Sequence, residues 1–251
     1  MVFAAGGEPF SWKGTTKGMR TMSNTADAVT EMVQAAFVWS DLSGPVYTFA
    51  VVLREAELMP DDINEYIERT RHDPEVMFTE LCELVRRHVS TPALLSLTIG
   101  LLETHSEVIK QLPATMKNYF PFQGGWLEHT RSVTQKALRL AHEYREQYPD
   151  LQPPINLELV VAGAALHEIG RVRELMLPES SVEPVNQTTE GRFYGHLLLG
   201  RDLVREAARG IPEFDPTLLM LLEHLLLSHL VLPEWGSARL PLIPEVLILH
   251  H

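Results

Sequence analysis

Four helical segments with clear start and stop signals occupy the C-terminal half of the chain. The helical period predicts them at residues 126–144, 157–169, 193–209 and 216–231. Glycine and proline mark their ends, and Asp215-Pro216 starts the last one. The second segment is apolar nearly all round, so it should lie in the middle of a bundle. Because helical signals extend back to Pro60, the pattern predicts an all-α helical bundle over residues 60–251.

Residues 1–59 form a short N-terminal appendage in this interpretation. Residues 24–38 have a helical apolar stripe, whereas Val46–Leu53 is rich in β-branched and aromatic residues and predicts a strand. A single strand needs partners. It therefore either pairs within the first 45 residues or is the remnant of a larger β module.

Charge and cysteine content exclude some classes of protein. The formal net charge of −12 provides no broad positive surface for nucleic acid, although a small basic groove beside bound metal ions remains compatible with it. The single cysteine, Cys82, cannot form an internal disulfide or a thiolate metal cluster. With no signal peptide pattern and no apolar run long enough to span a membrane, we expect a cytoplasmic protein without a membrane partner.

Each of the four predicted helices carries one histidine where an apolar residue is expected. His129 shares a face with Val133, Ala137 and Leu140, and His167 lies at the end of the apolar second helix. The third and fourth helices follow the same pattern with His196 and His229. One such residue alone is more often a core histidine that finds its own hydrogen bonds. Four on separate helices favour a common site.

A shared metal centre would satisfy all four imidazoles, since each unpaired buried ring costs about 1–3 kcal/mol. Glu168 directly follows His167 and supplies the carboxylate. Imidazole and carboxylate ligands suit Mn, Fe, Zn or Ni far better than Ca, and we expect Mn, with Fe, Zn, Ni or Co as alternatives, bound as one or two ions. Such a centre would hydrolyse phosphate esters, with Glu168 as a catalytic residue. Arg171 could neutralise phosphate charge, although a cation favoured by the helix dipole explains it equally well.

These residues resemble the motifs of the HD-domain phosphohydrolases, and within them the YhaM-type 3′–5′ exoribonucleases. The similar runs are GGWLEHT, AGAALHEIGR, Gly195-His196, LSH and EWGS, in that order, over the stretch from about Pro60 to the end. The resemblance implies that His129, His167 with Glu168, His196 and His229 gather one or two divalent metals. It implies that Arg171 takes the place of the family's lysine. It further implies an N-terminal OB-fold for single-stranded RNA, of which Val46–Leu53 would be a remnant.

The chain departs from the family pattern at three places. The family's His-Asp pair is His167-Glu168 here, and its paired histidines are His229-Leu230. The family has an aspartate shortly after the segment matching Leu247–His251, so we expect a domain truncated at its C-terminal end, a substitution by His250 or His251, or an incomplete site.

Three functions remain open on the sequence. The leading hypothesis is metal-dependent phosphodiester hydrolysis, as a 3′–5′ exonuclease on single-stranded RNA. A nucleotide or cyclic-dinucleotide phosphohydrolase is the second, because little of the chain remains to bind a long strand. The third is a degenerate HD bundle that binds or regulates without catalysis, as the three departures would allow. The sequence leaves the oligomeric state open.

Overall fold

The computed structural model describes residues 32–39, 47–54, 68–178 and 185–250. The chain forms two compact units, residues 1–66 and 67–251. The predicted boundary between residues 59 and 60 lies outside the described residues and stays a prediction.

The first unit contains two antiparallel strands, β1 (Met32–Trp39) and β2 (Tyr47–Arg54), with Met32 opposite Arg54 and Trp39 opposite Tyr47. The predicted strand is thus confirmed, and the strand partner lies within the first 45 residues. The predicted helix over residues 24–38 is wrong for residues 32–38, which belong to β1. A short apolar run fits either period, and here pairing with β2 decides in favour of a strand. An OB-fold has five strands, whereas the described residues of the first unit contain two. The OB-fold remnant therefore stays a prediction.

The second unit is built from helices, which confirms the predicted all-α bundle. In chain order its helices are α1 (Pro74–His88), α2 (Pro92–Thr104), α3 (Ser106–Ile109), α4 (Gly125–Gln147), α5 (Leu157–Leu166), α6 (Arg171–Glu174), α7 (Thr189–Ala208), α8 (Pro216–Ser228) and α9 (Pro244–His250). A 3₁₀ turn spans Pro233–Trp235, and β3 (Leu175–Met176) pairs with β4 (Asn186–Gln187). Within the described part of the chain, no helix has both the length and the apolarity to cross a membrane.

Polar side chains start the helices that carry the site. Asn156 accepts a hydrogen bond from the Leu159 amide at the start of α5, and Thr188 accepts one from the Gly191 amide at the start of α7. The Asp215 carboxylate does the same before α8. Such caps satisfy amide groups that have no partner inside the helix. The cap at Thr188 explains why α7 begins four residues before its predicted start.

Helix α5 is the central helix of the bundle, as its apolar sequence predicts. Every residue from Leu159 to Leu166 is buried, and α5 packs against α1, α2, α4, α8 and α9. Gly163 brings α5 close to α8, because a Cβ atom there would lie 2.5 Å from the Leu225 Cδ1 atom. This close packing places the ends of α5 and α8 side by side.

Helices α5 and α8 end three residues earlier than predicted, at Leu166 and Ser228. In each, the next residue is a histidine whose Nδ1 atom lies within hydrogen-bond distance of the carbonyl three residues before it. These pairs are His167 with Ala164 O at 2.7 Å and His229 with Leu226 O at 2.9 Å. A ring nitrogen that binds a late carbonyl of a helix helps to end that helix.

Candidate metal centre

The structure brings together all five predicted metal ligands. His129 lies in the second turn of α4, while His167 and His229 directly follow α5 and α8. His196 follows Gly195, where α7 is kinked by a φ of 70° and a ψ of 163°. The ring centroids of His129 and His167 are 5.1 Å apart, those of His167 and His229 5.2 Å, and those of His196 and His229 6.0 Å.

Two groups of ligand atoms could each hold a metal ion. The first consists of His129, His167 and Glu168, and the second consists of Glu168, His196 and His229. Within each group, the ligand atoms lie within 4.8 Å of one another. Because Glu168 belongs to both groups, one carboxylate could serve two neighbouring ions.

Hydrogen bonds fix which nitrogen of each ring is free for a ligand. The carbonyl oxygens of Ala164 and Leu226 can only accept, so the Nδ1 atoms of His167 and His229 carry the hydrogen. In a neutral ring this leaves a lone pair on Nε2. A ring held in this way at one nitrogen and open at the other is the usual arrangement of a metal-binding histidine.

The Nε2 atoms of His196 and His229 are buried without a hydrogen-bond partner. The His196 Nε2 atom lies 3.5 Å from the Glu168 Oε2 atom, which is too long for a well-formed hydrogen bond. The Nε2 atoms of His129 and His167 face each other at 3.1 Å. Buried polar atoms normally find a partner. These converging nitrogens therefore fit a divalent metal ion better than a closed hydrogen-bond network.

Glu168 is fixed at its backbone and at both carboxylate oxygens. Its Oε1 atom accepts a hydrogen bond from the Tyr119 hydroxyl at 2.9 Å, and its Oε2 atom accepts one from the Arg171 Nε at 2.7 Å. The indole nitrogen of Trp126 donates to its backbone carbonyl at 2.8 Å. Gly170 allows the turn after Glu168 to pack on α7, since a Cβ atom there would lie 1.9 Å from the His196 carbonyl oxygen.

Arg171 forms ion pairs with Glu168 and Glu174, and its side chain is only 12% exposed. Glu174 is itself buried, and its Oε2 atom lies 3.6 Å from the His196 Nδ1 atom. The predicted contact of Arg171 with a phosphate stays a prediction. The observed pairs indicate that Arg171 fixes the carboxylates around His196.

Burial favours the neutral form of three of the histidines, namely His129, His167 and His229. Burial, followed by the charge of His167, lowers the pKa of His129 to about 3, and burial lowers the pKa of His229 to about 3 as well. The pKa of His167 is also lowered, again mainly by burial. A neutral imidazole is the form that binds a metal.

Glu168 is ionised despite being buried. Burial alone would raise its pKa, but the electrostatic interactions with His196 and Arg171 hold that pKa well below its usual value. The Tyr119 hydroxyl stays protonated, because burial and the nearby Glu168 raise its pKa. The site thus combines an anionic carboxylate with imidazoles, a donor set suited to divalent transition metals.

A cavity of about 340 Å³ opens beside these residues. Its lining includes His129, His167, Glu168 and His229. The remaining lining residues are Tyr119, Phe120, Ser132, Val133, Lys136, Ala137, Leu230, Ile248, Leu249 and His250. Neither Arg171 nor His196 lines this cavity. The volume lies within the ~300–1,000 Å³ that is typical of small-ligand sites.

Sequence reasoning missed three residues of the site. Glu174 lies three residues after Arg171, a spacing that places both on one helix face, and this signal could have identified it. Lys136 lies two helical turns after His129 and was detectable in the same way. Tyr119 is the third, and its ring lies 4.8 Å from that of His129. Its hydrogen bond to Glu168, 49 residues away, had no signal in the sequence.

Comparison with known proteins defines the class of protein. The family model described as HD domain matches residues 126–251, which is half of the chain. The match contains the helices that carry all five candidate ligands. The chain therefore belongs to the HD domain family.

Among curated proteins, the chain is similar to two bacterial 3′–5′ exoribonucleases named YhaM. It is 30% identical to that of Shouchella clausii over 75% of this chain and 54% of the relative. It is 31% identical to that of Bacillus licheniformis over 68% of this chain and 52% of the relative. The chain thus spans about half the length of the curated relatives it matches. No solved structure gives a significant match.

Proposed function

We propose that the chain is a metal-dependent phosphodiesterase that removes nucleotides from the 3′ end of single-stranded RNA. The observation that carries the proposal is the pair of three-ligand groups that share Glu168. The HD domain match and the similarity to exoribonucleases support the same activity. The expected cytoplasmic location agrees with an RNA substrate.

The ligands divide between two metal positions. His129 and His167 would hold one ion, His196 and His229 the other, and Glu168 both. Mn is the expected ion, with Fe, Zn, Ni or Co as alternatives, and the imidazole and carboxylate donors suit such transition metals better than Ca. A divalent ion supplies Lewis acidity, which activates water near neutral pH and offsets charge on phosphoryl oxygens.

The protein's own residues orient this centre and shape the substrate site. Tyr119 and Arg171 hold the Glu168 oxygens in place, so the carboxylate does not have to rearrange when it acts. The rings of Tyr119 and Phe120 line one wall of the cavity beside His129. A base of the RNA would stack on such rings regardless of its sequence.

The test is Mn²⁺-dependent degradation of a 5′-labelled single-stranded RNA. We expect a ladder that shortens from the 3′ end, and none with His167→Ala. The matched control is His142→Ala, which removes an exposed histidine of α4. Circular dichroism should show the same helicity in all three proteins. A His167→Ala variant with wild-type turnover would refute the site.

A nucleotide or cyclic-dinucleotide phosphohydrolase is the second candidate, favoured by the modest cavity of about 340 Å³. It predicts hydrolysis of the small substrate with no ladder on RNA. A chain that folds but neither binds metal nor hydrolyses either substrate would be a binding module. Leu230 favours that outcome, since it lines the cavity where the family resemblance implies a second histidine.

A further inference from the structure

The charge of Arg171 is neutralised within the protein by two buried carboxylates. Its guanidinium pairs with both Glu168 and Glu174, and it lies outside the cavity lining. The pKa of Arg171 is raised further, since the attraction of the two carboxylates exceeds the opposing effect of burial. A substrate phosphate that competed for this group would have to break a buried ion pair. Another cation is needed to bind the strand.

Lys136 is the one lysine or arginine among the described residues that line the cavity. It is exposed, and it has no ion-pair partner among the described residues. The chain as a whole has a formal net charge of −12, so it provides no broad positive surface that would attract RNA. An unpaired cation at the cavity is therefore the natural contact for a phosphate.

Helix geometry places Lys136 beside the metal centre and not within it. His129, Ser132 and Lys136 follow one another at intervals of three and four residues on α4, and all three line the cavity. Seven residues of helix correspond to about 10.5 Å along the axis. Helical side chains lean toward the N-terminus of their helix, so Lys136 reaches back toward His129. Its ammonium group then lies within reach of a phosphate neighbouring the one that reacts.

We propose that Lys136 binds the phosphodiester on the 5′ side of the linkage that is cleaved. The proposal rests on the proposed function, because at a 3′ end every further linkage lies on the 5′ side. It defines the preferred substrate: a chain with at least two phosphodiesters, bound at the reacting linkage by the metal centre and at the next one by Lys136. A dinucleotide has no second linkage and gains nothing from Lys136.

Equilibrium binding tests the contact without catalysis. A 5′-fluorescent RNA trinucleotide, in which a methylene group replaces the oxygen that would leave at the 3′-terminal linkage, is titrated with protein in Mn²⁺. The reacting linkage keeps its charge but cannot be hydrolysed, and fluorescence anisotropy follows binding at several salt concentrations. Lys136→Gln should weaken binding about tenfold. Loss of one phosphate contact should also reduce the slope of log K against log salt by about 0.7. Lys136→Arg should keep the slope, and so should Arg145→Gln, which removes an exposed charge of the same helix away from the cavity.

An RNA in which one linkage is uncharged tests which phosphodiester Lys136 contacts. With a methylphosphonate at the second linkage from the 3′ end, the wild type should bind about as weakly as Lys136→Gln, and the variant should not weaken further. In Mn²⁺, Lys136→Gln should raise KM for the trinucleotide and leave the dinucleotide unchanged.

The two proposals can fail separately. If RNA gives no ladder but the wild type and Lys136→Gln still differ in slope, the exonuclease proposal is refuted and the Lys136 contact stands. Equal slopes for the wild type and Lys136→Gln, or no measurable RNA binding by the wild type, overturn the Lys136 proposal whatever the activity. If Lys136→Gln weakens binding of the dinucleotide as much as binding of the trinucleotide, Lys136 does not contact the second linkage.

Discussion

Metal binding at the proposed centre should raise the thermal stability of the protein by a predictable amount. An ion at 100 times its dissociation constant stabilises the folded state by about 2.7 kcal/mol. For a domain of ~150–250 residues, 1 kcal/mol shifts Tm by about 2–4 °C. One Mn²⁺ site should therefore raise the Tm of chelated protein by about 5–11 °C, and a second site should extend the rise at higher concentration.

His229→Leu separates metal binding from packing. In the chelated wild type, the buried His229 Nε2 atom has no partner, a cost of about 1–3 kcal/mol. Leucine removes that cost, but it also removes the hydrogen bond to the Leu226 carbonyl, worth about 0.5–1.5 kcal/mol. These changes nearly cancel or favour the variant. In EDTA its Tm should match or exceed that of the wild type, while its rise with Mn²⁺ should be smaller.

Differential scanning fluorimetry in EDTA and over a Mn²⁺ series measures both quantities. The control is His224→Gln, which alters a histidine of α8 that lies outside the ligand groups. Its Nε2 atom accepts a hydrogen bond from the Leu242 amide at 3.0 Å. The control should keep the full metal-dependent rise. If the wild type shows no rise with Mn, Fe, Zn, Ni or Co, or if His229→Leu keeps it in full, the metal assignment is wrong.

Three further predictions concern packing, pH and the carboxylate. Gly170→Ala should destabilise the fold by about 1–3 kcal/mol in urea unfolding, because its Cβ would overlap a backbone carbonyl of α7. The control is Gly100→Ala in α2, where an added Cβ has no heavy atom within 4 Å. This variant should stabilise the fold by about 0.5–1 kcal/mol. In the folded protein, His129 and His229 have pKa values of about 3, whereas in the unfolded chain they take up protons below about pH 6.5. The unfolding free energy of chelated protein should therefore be highest above about pH 6.5 and should fall as the pH is lowered further. Each contributes up to about 1.4 kcal/mol per pH unit, and constant stability between pH 7 and 5 would contradict this. Glu168→Asp should lower the metal affinity, measured by calorimetry, about 10–100-fold, because the shorter side chain cannot keep both supporting hydrogen bonds. An unchanged metal affinity would show that these hydrogen bonds are dispensable.

The helices were predictable because their signals are local. Thr91-Pro92 and Asp215-Pro216 each place a proline at the first helical position, and α2 and α8 begin there. The kink in α7 was not predictable, since it depends on Gly195 taking a φ of 70°. Neither the period of the helix nor its composition specifies that conformation. β1 was missed because its short apolar run fits a helical period as well as a strand period, and pairing with β2 decides between them.

The candidate ligands were predictable for a different reason. Each histidine occupies a position where an apolar residue is expected, so its burial could be inferred from its own helix. Contacts between elements could not be inferred in this way. The Tyr119 hydroxyl, for example, donates a hydrogen bond to Glu168 across 49 residues of the chain, and neither segment carries a signal for that contact.

The glutamate at position 168 is the departure from the family that bears most directly on activity. Its longer side chain could adopt more conformations than the aspartate that the resemblance implies, which would loosen a shared metal ligand. Here that freedom is removed, because Tyr119 holds one oxygen and Arg171 holds the other. Ionising a carboxylate that is 1% exposed is costly unless a charge partner compensates, and the ion pair with Arg171 provides that compensation. A site without function would gain more stability from an apolar residue at this position. The contacts around Glu168 thus favour a working metal centre over a degenerate bundle, and the affinity of Glu168→Asp for metal measures how much they contribute.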